Sequence, residues 1–141
     1  MNRLLIDTNS YSRLYKGDKI IEERLSKAKE VLISVVSLGE LYLGFREGTR
    51  RRENLIYLRK FLNKSSIRIV NVDQKTSDFY SQVKYELRRK GKPIPENDIW
   101  IAAQVIETRS TLVTYDRHFL AISGLKVWKG LKKSQDNSHH K

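Results

Sequence analysis

The sequence predicts an α/β protein in which a mostly parallel sheet of about five strands is covered by helices on both faces. Three observations lead there. Short apolar runs rich in Val, Ile and Leu recur five times along the chain. The stretches between them carry apolar residues at helical spacing. Most of the connections exceed a dozen residues, which is what a crossover between parallel strands requires. A chain of 141 residues closes around one core, so these elements belong to a single domain.

Taken in order, the strand candidates are residues 4–6 (LLI), 31–36 (VLISVV), 67–72 (IRIVNV), 112–114 (LVT) and 125–128 (LKVW). Between the second and third lie two helical stripes, one of Leu38, Leu41, Tyr42 and Phe45, the other of Leu55, Leu58, Phe61 and Leu62. Phe79, Val83 and Leu87 mark a further helix. The segment 89–95, RKGKPIP, combines charge, one Gly and two Pro, so it ends that helix and leads to another beginning near Asn97. The last connection, 115–124, is short for a crossover. It holds about two turns of helix, or it places the final strand differently. After Trp128 the tail KGLKKSQDNSHHK loses apolar periodicity. The expected division is a folded domain over 1–128 and a basic, flexible tail over 129–141, whose His139 and His140 are given no role.

Composition narrows the function. The chain has no Cys, which removes disulfide scaffolds, thiolate metal sites and cysteine nucleophiles together. The start, MNRLLIDTN, lacks the long apolar stretch of a secretory signal, and no window approaches the ~18 apolar residues of a membrane helix. A cytoplasmic location with no membrane contact is expected. The net charge of +12 points to a polyanionic partner, RNA or DNA first, because neutralising phosphates releases counterions. The cations cluster at Arg46, Arg50, Arg51, Arg52, Arg59 and Lys60, and again at Lys84, Arg88, Arg89, Lys90 and Lys92. Arg46, Arg50, Arg51, Arg89 and Lys92 are the candidate nucleic-acid contacts. An acidic protein surface would satisfy the same patches.

In an open parallel sheet, ligands bind beyond the carboxyl ends of the strands. Asp7 follows the first strand candidate and Asp116 the fourth. If those strands are neighbours, the two carboxylates meet; each could equally cap a following helix or turn. Glu40 lies within an otherwise apolar helix, where an unpaired carboxylate is costly. Asp98 opens the helix IWIAA, apolar nearly all round, and a first-turn Asp there also suits the helix dipole. Four carboxylates at one place repel one another unless a cation joins them. Oxygen-only ligands suit Mg²⁺ or Mn²⁺, which activates water and neutralises phosphate charge. An acidic hollow in a basic surface is what a metal-dependent nuclease needs. Other chemistries fit poorly. His118, the one His before the tail, has no serine motif near it and reads as a surface or core residue, and no phosphate-binding glycine loop is present.

Four segments, LLIDTN, SVVSLGELYLG, GKPIPENDIWIAA and LVTYDRHF, resemble in order and spacing the PIN-domain ribonucleases, and among them the VapC-type toxins of toxin–antitoxin pairs. The resemblance covers residues 3 to 128. It implies a three-layer α/β/α sandwich whose acids Asp7, Glu40, Asp98 and Asp116 bind Mg²⁺ or Mn²⁺ and cleave RNA through a metal-activated water. It further implies that Thr8, Asn9, Ser37 and Thr114 orient carboxylates or waters, that the chain forms homodimers, and that a cognate antitoxin silences the site. The function expected is a divalent-metal-dependent endoribonuclease toxin. The alternative is a non-catalytic nucleic-acid- or partner-binding module of the same fold.

Overall fold

The computed structural model describes residues 2–131. Four strands, β1 (Arg3–Ile6), β2 (Glu30–Ser34), β3 (Ile67–Val70) and β4 (Thr111–Val113), form one sheet in the order β3-β2-β1-β4. All three pairings are parallel, with Ile6 beside both Ile33 and Val113. The helices are α1 (Thr8–Tyr15), α2 (Lys19–Ser26), α3 (Val35–Glu47), α4 (Arg51–Leu62), α5 (Gln74–Lys90) and α6 (Glu96–Thr108), and a 3₁₀ turn spans Arg117–Ala121.

Side chains alternate across a strand, and here both alternate sets are apolar. Leu4, Ile6, Val31, Ile33 and Val113 face the layer built from α1 to α4 and join Tyr11, Ile21, Leu38, Leu41, Leu58 and Phe61. Leu5, Leu32 and Leu112 face the opposite layer and join Val83, Leu87, Ile99, Ile101 and Phe119 from α5, α6 and the 3₁₀ turn. The result is the expected three-layer sandwich. The three leucines on the second face are inaccessible to solvent, and burying each contributes about 1.5–3 kcal/mol.

Two strand boundaries fall short of expectation. The run 31–36 ends as a strand at Ser34, whose hydroxyl accepts from the Val36 backbone N–H at 3.0 Å and so starts α3. Likewise 67–72 pairs only as far as Val70. The sheet has four strands rather than five. Segment 125–128 touches β4 through a single bridge, Val127 beside Leu112. Its two backbone hydrogen bonds to the sheet both go to Leu112, and the Trp128 indole N–H donates to the Thr114 carbonyl at 2.6 Å. Leu131 is buried in the first cluster, so packing continues three residues beyond the expected boundary at Trp128. The rest of the expected tail, with His139 and His140, lies outside the described residues.

Candidate active site

Asp7 leaves β1 in extended conformation and does two jobs at once. It caps α1, accepting from the Ser10 N–H at 2.8 Å, and its other oxygen accepts from the Thr114 hydroxyl at 2.5 Å. Only 2 % of the residue is exposed. Because β1 and β4 are neighbours, Asp116 arrives beside it. The Asp116 backbone N–H donates to Thr114 Oγ1 at 2.9 Å, and its Oδ2 accepts from Asn9 Nδ2 at 3.2 Å. No side-chain cap is made by Asp116 to the 3₁₀ turn it precedes, so the capping alternative holds for Asp7 and not for Asp116.

The other two acids come from helices. Glu40, in the second turn of α3, accepts from the Thr8 hydroxyl at 2.7 Å. Asp98, in the first turn of α6, has its Oδ2 at 2.9 Å from His118 Nε2. Thus β1, α3, α6 and β4 each deliver one carboxylate to the same end of the sheet. Their mutual influence is electrostatic. Burial pushes the Asp7 carboxyl up, opposed by the Thr114 and Ser10 bonds and reinforced by Asp116. Burial also pushes Asp98 up; His118 opposes this, while Asp7 and Glu40 add to it.

Among the described residues no three Asp, Glu or His side chains converge closely enough as placed to grip one ion together. Each of the four acids instead spends an oxygen on a neighbour, and Glu40, Asp98 and Asp116 each keep a second oxygen without a hydrogen bond. That arrangement fits a hard divalent cation. Mg²⁺-type ions keep several waters and take one or two protein carboxylates together with substrate phosphates, so a complete protein cage is not required. The carboxylates raised by burial and by each other are those whose charge a cation would offset.

Of the expected supporting residues, Thr8, Asn9 and Thr114 each hold an acid. Ser37 does not. It is fully buried in the first turn of α3 and its hydroxyl has no hydrogen-bond partner. The expected nucleic-acid contacts are all exposed. Arg46, Arg50 and Arg51 stand at the α3–α4 junction, where Arg50 is paired with Glu53. Arg89 and Lys92 stand at the α5–α6 junction, Arg89 lying 5.7 Å over the Tyr85 ring. His118 is the residue that sequence reasoning passed over. No signal in the sequence marked it: it lies two residues past Asp116 on a tight 3₁₀ turn, and only the packing brings it to α6.

The chain matches the PIN domain family over residues 4–125. It is 34% identical over 92 residues to the ribonuclease VapC2 of Rickettsia felis, an alignment covering 65% of this chain and 67% of that protein. It is 26% identical over 130 residues to the tRNA(fMet)-specific endonuclease VapC of Salmonella typhimurium, covering 90% and 97% of the two. Among solved structures, the VapBC2 structure from Rickettsia felis bound to a promoter DNA fragment superposes with a TM-score of 0.81 at 28% identity, covering 89% of this chain and 97% of that one. The match runs from β1 past the 3₁₀ turn and so takes in all four acids, which places the chain in the PIN-domain family, among its VapC-type toxins.

Proposed function

We propose that the chain is an endoribonuclease dependent on Mg²⁺ or Mn²⁺ and the toxin half of a toxin–antitoxin pair, acting in the cytoplasm as a homodimer held silent by its antitoxin. The observation that supports this most is the electrostatic meeting of Asp7, Glu40, Asp98 and Asp116, four acids from four elements, in a chain whose net charge is +12. Relatives named as ribonucleases and a neighbour solved as a VapBC complex support the substrate class and the partner. The nuclease domain in this reading is residues 1–128, followed by a basic tail.

Within the reading, Asp7, Glu40, Asp98 and Asp116 hold the cation. When bound, that cation supplies a water of lowered pKa and offsets the charge that builds on the phosphate. The chain's own residues set the geometry. Thr114 fixes Asp7 through its hydroxyl while receiving the Asp116 N–H, so one side chain aligns two acids. Asn9 and Thr8 do the same for Asp116 and Glu40 from α1. His118 sets the direction of the Asp98 carboxylate from the 3₁₀ turn. Arg46, Arg50, Arg51, Arg89 and Lys92 hold the RNA backbone by neutralising phosphates.

A second reading, a non-catalytic module that binds nucleic acid or a partner, draws on one observation: each acid is already engaged by a neighbouring donor. Total cellular RNA incubated with the purified chain, with and without chelator, separates the two. Cleavage at mappable ends that stops with chelator and in Asp98→Asn is the expected result. RNA binding without cleavage at every Mg²⁺ and Mn²⁺ concentration would establish the second reading instead.

A further inference from the structure

The α5–α6 junction contains a cavity of about 240 Å³, of whose lining the reading above uses only Lys92. Its floor is apolar, made by Leu87, Ile94 and Ile99, and its rim is cationic, made by Lys84, Arg88 and Lys92. We propose that this cavity is a nucleotide subsite: it takes one unstacked base of the RNA strand on its floor, with the adjoining phosphate on Arg88 and Lys92. The proposal rests on the nuclease reading for the strand's continuation into the acidic site, but not for binding itself.

Three features carry it. The first is position. Helix α5 runs antiparallel to α6, since Thr76 reaches Glu107, Tyr80 stacks on Trp100 at 4.0 Å between ring centroids, and Lys84 pairs with Glu96 at 2.7 Å. The end of α5 therefore rises beside the first turn of α6. Ile99, in the floor, directly follows Asp98. Consecutive residues on a helix point about 100° apart, so the cavity and the acid occupy adjoining sides of one turn.

The second feature is charge. Lys84 is held by Glu96, but Arg88 and Lys92 form no ion pair among the described residues, and no acid lines the cavity. Unpaired cations around an apolar floor match a ligand with an anionic edge and a flat apolar face. A simple anion would use the rim and leave the floor unused, whereas single-stranded RNA is read by splaying bases onto aromatic or guanidinium planes, and among the residues lining this cavity Arg88 supplies such a plane. The volume lies under the about 300 Å³ at which pockets for larger ligands begin, which limits the occupant to a group the size of one base.

The third feature is rigidity. Leu87 and Ile99 are 2 % and 1 % exposed and belong to the core, so they fix the floor from beneath, and half-buried Ile94 is the side chain that presents it to a ligand. Lys90 ties the end of α5 to the end of the 3₁₀ turn and the segment after it, donating to the Ala121 carbonyl at 3.1 Å and lying 3.0 Å from the Ser123 hydroxyl. Gly91, at φ +64°, then closes the helix in the left-handed conformation and swings Lys92 over the rim. A subsite prepared in this way loses little ordering entropy on binding.

The test is direct binding in an Asp98→Asn background, with fluorescein-labelled oligouridine of about a dozen nucleotides compared with an abasic ribose-phosphate chain of the same length and charge. Oligouridine should bind about tenfold more tightly than the abasic chain. Ile94→Asn should erase that preference. Arg88→Glu and Lys92→Glu, both at exposed positions and checked for unchanged far-ultraviolet dichroism, should weaken both ligands about tenfold and each lower the salt slope by about one, while Lys75→Glu at the far end of α5 should do neither. The proposal is overturned if the abasic chain binds equally well, if Arg88→Glu and Lys92→Glu behave like Lys75→Glu, or if polyglutamate competes as well as RNA does. Binding is read without cleavage, so the two readings fail separately. A chain that never cuts RNA yet shows this pattern loses the nuclease and keeps the subsite. A chain whose Arg88→Glu variant, made without Asp98→Asn, cuts RNA at the wild-type rate and KM loses the subsite and keeps the nuclease.

Discussion

At the N-terminal edge of the sheet Glu30 stands between two arginines, 3.2 Å from Arg3 Nε and 3.0 Å from Arg68 Nη2. At the C-terminal edge four carboxylates face two threonine hydroxyls, one asparagine amide, one imidazole and one backbone N–H. Both edges are built on the same parallel strands, yet one neutralises its acid with cations and the other aligns its acids with donors that are mostly uncharged. A neutral donor fixes direction without cancelling charge. The cationic edge pairs its charge within the fold, while the acidic edge retains a repulsion that a divalent cation can relieve. Burial first, and that repulsion after it, raise the carboxyls of Asp7 and Asp98.

That contrast can be broken at either edge. The largest effect should come from Asp98→Asn, which keeps the side chain's shape and removes its charge. RNA cleavage should fall about a thousandfold, the several kcal/mol that a cation's charge stabilisation supplies, with the far-ultraviolet dichroism unchanged. Thr114→Val comes next, since its hydroxyl aligns both Asp7 and Asp116. Mn²⁺ affinity measured by titration calorimetry should drop about 10–100-fold. If Mn²⁺ binds Thr114→Val as it binds wild type, the alignment argument fails.

The pH dependence of melting sharpens the comparison further. A carboxyl raised by folding contributes stability that is fully present below its unfolded pKa, about 3.9 for Asp, and is lost as pH rises through the folded value. Asp7 and Asp98 are both raised, so the cation-free chain should gain from them as pH falls from neutral toward 4. Asp98→Asn should flatten that part of the curve, and added Mg²⁺ should raise Tm more at neutral pH than near pH 4. An identical profile for the variant would remove the repulsion from the account. The smallest effect belongs to the other edge. Glu30→Gln should cost at most about 1 kcal/mol in urea unfolding, as a half-exposed ion pair does, and leave cleavage unchanged.

Much of this was legible because strands buried on both faces read as unbroken apolar runs, and because an acid placed directly after such a run lands at the ligand-binding edge. Leu4, Leu5 and Ile6 followed by Asp7 carry that signal without help from any other part of the chain. Boundaries were less legible where a local hydrogen bond competes with apolar pattern. Ser34 ends β2 with its hydroxyl, although Val35 and Val36 continue the run. The fifth strand is reduced to one bridge: 125–128 has strand composition, but its backbone bonds to the sheet reach only Leu112. Pairs across long sequence distance were invisible. Nothing in the order of residues links His118 to Asp98, or Thr8 to Glu40, because each contact depends on how α6 and α3 pack over the strand ends.

The bond from the Trp128 indole to the Thr114 carbonyl has a practical side for anyone shortening the chain. Thr114 sits on the strand end that seats Asp116, and Trp128 also donates its backbone N–H to the Leu112 carbonyl at 3.0 Å. A truncation at 127 would therefore unfasten β4 from below while leaving Asp7, Glu40, Asp98 and Asp116 in the sequence. Such a protein would carry all four proposed site acids with Asp116 poorly seated. An inactive short form should accordingly be compared with one ending after Leu131 before any residue is judged dispensable.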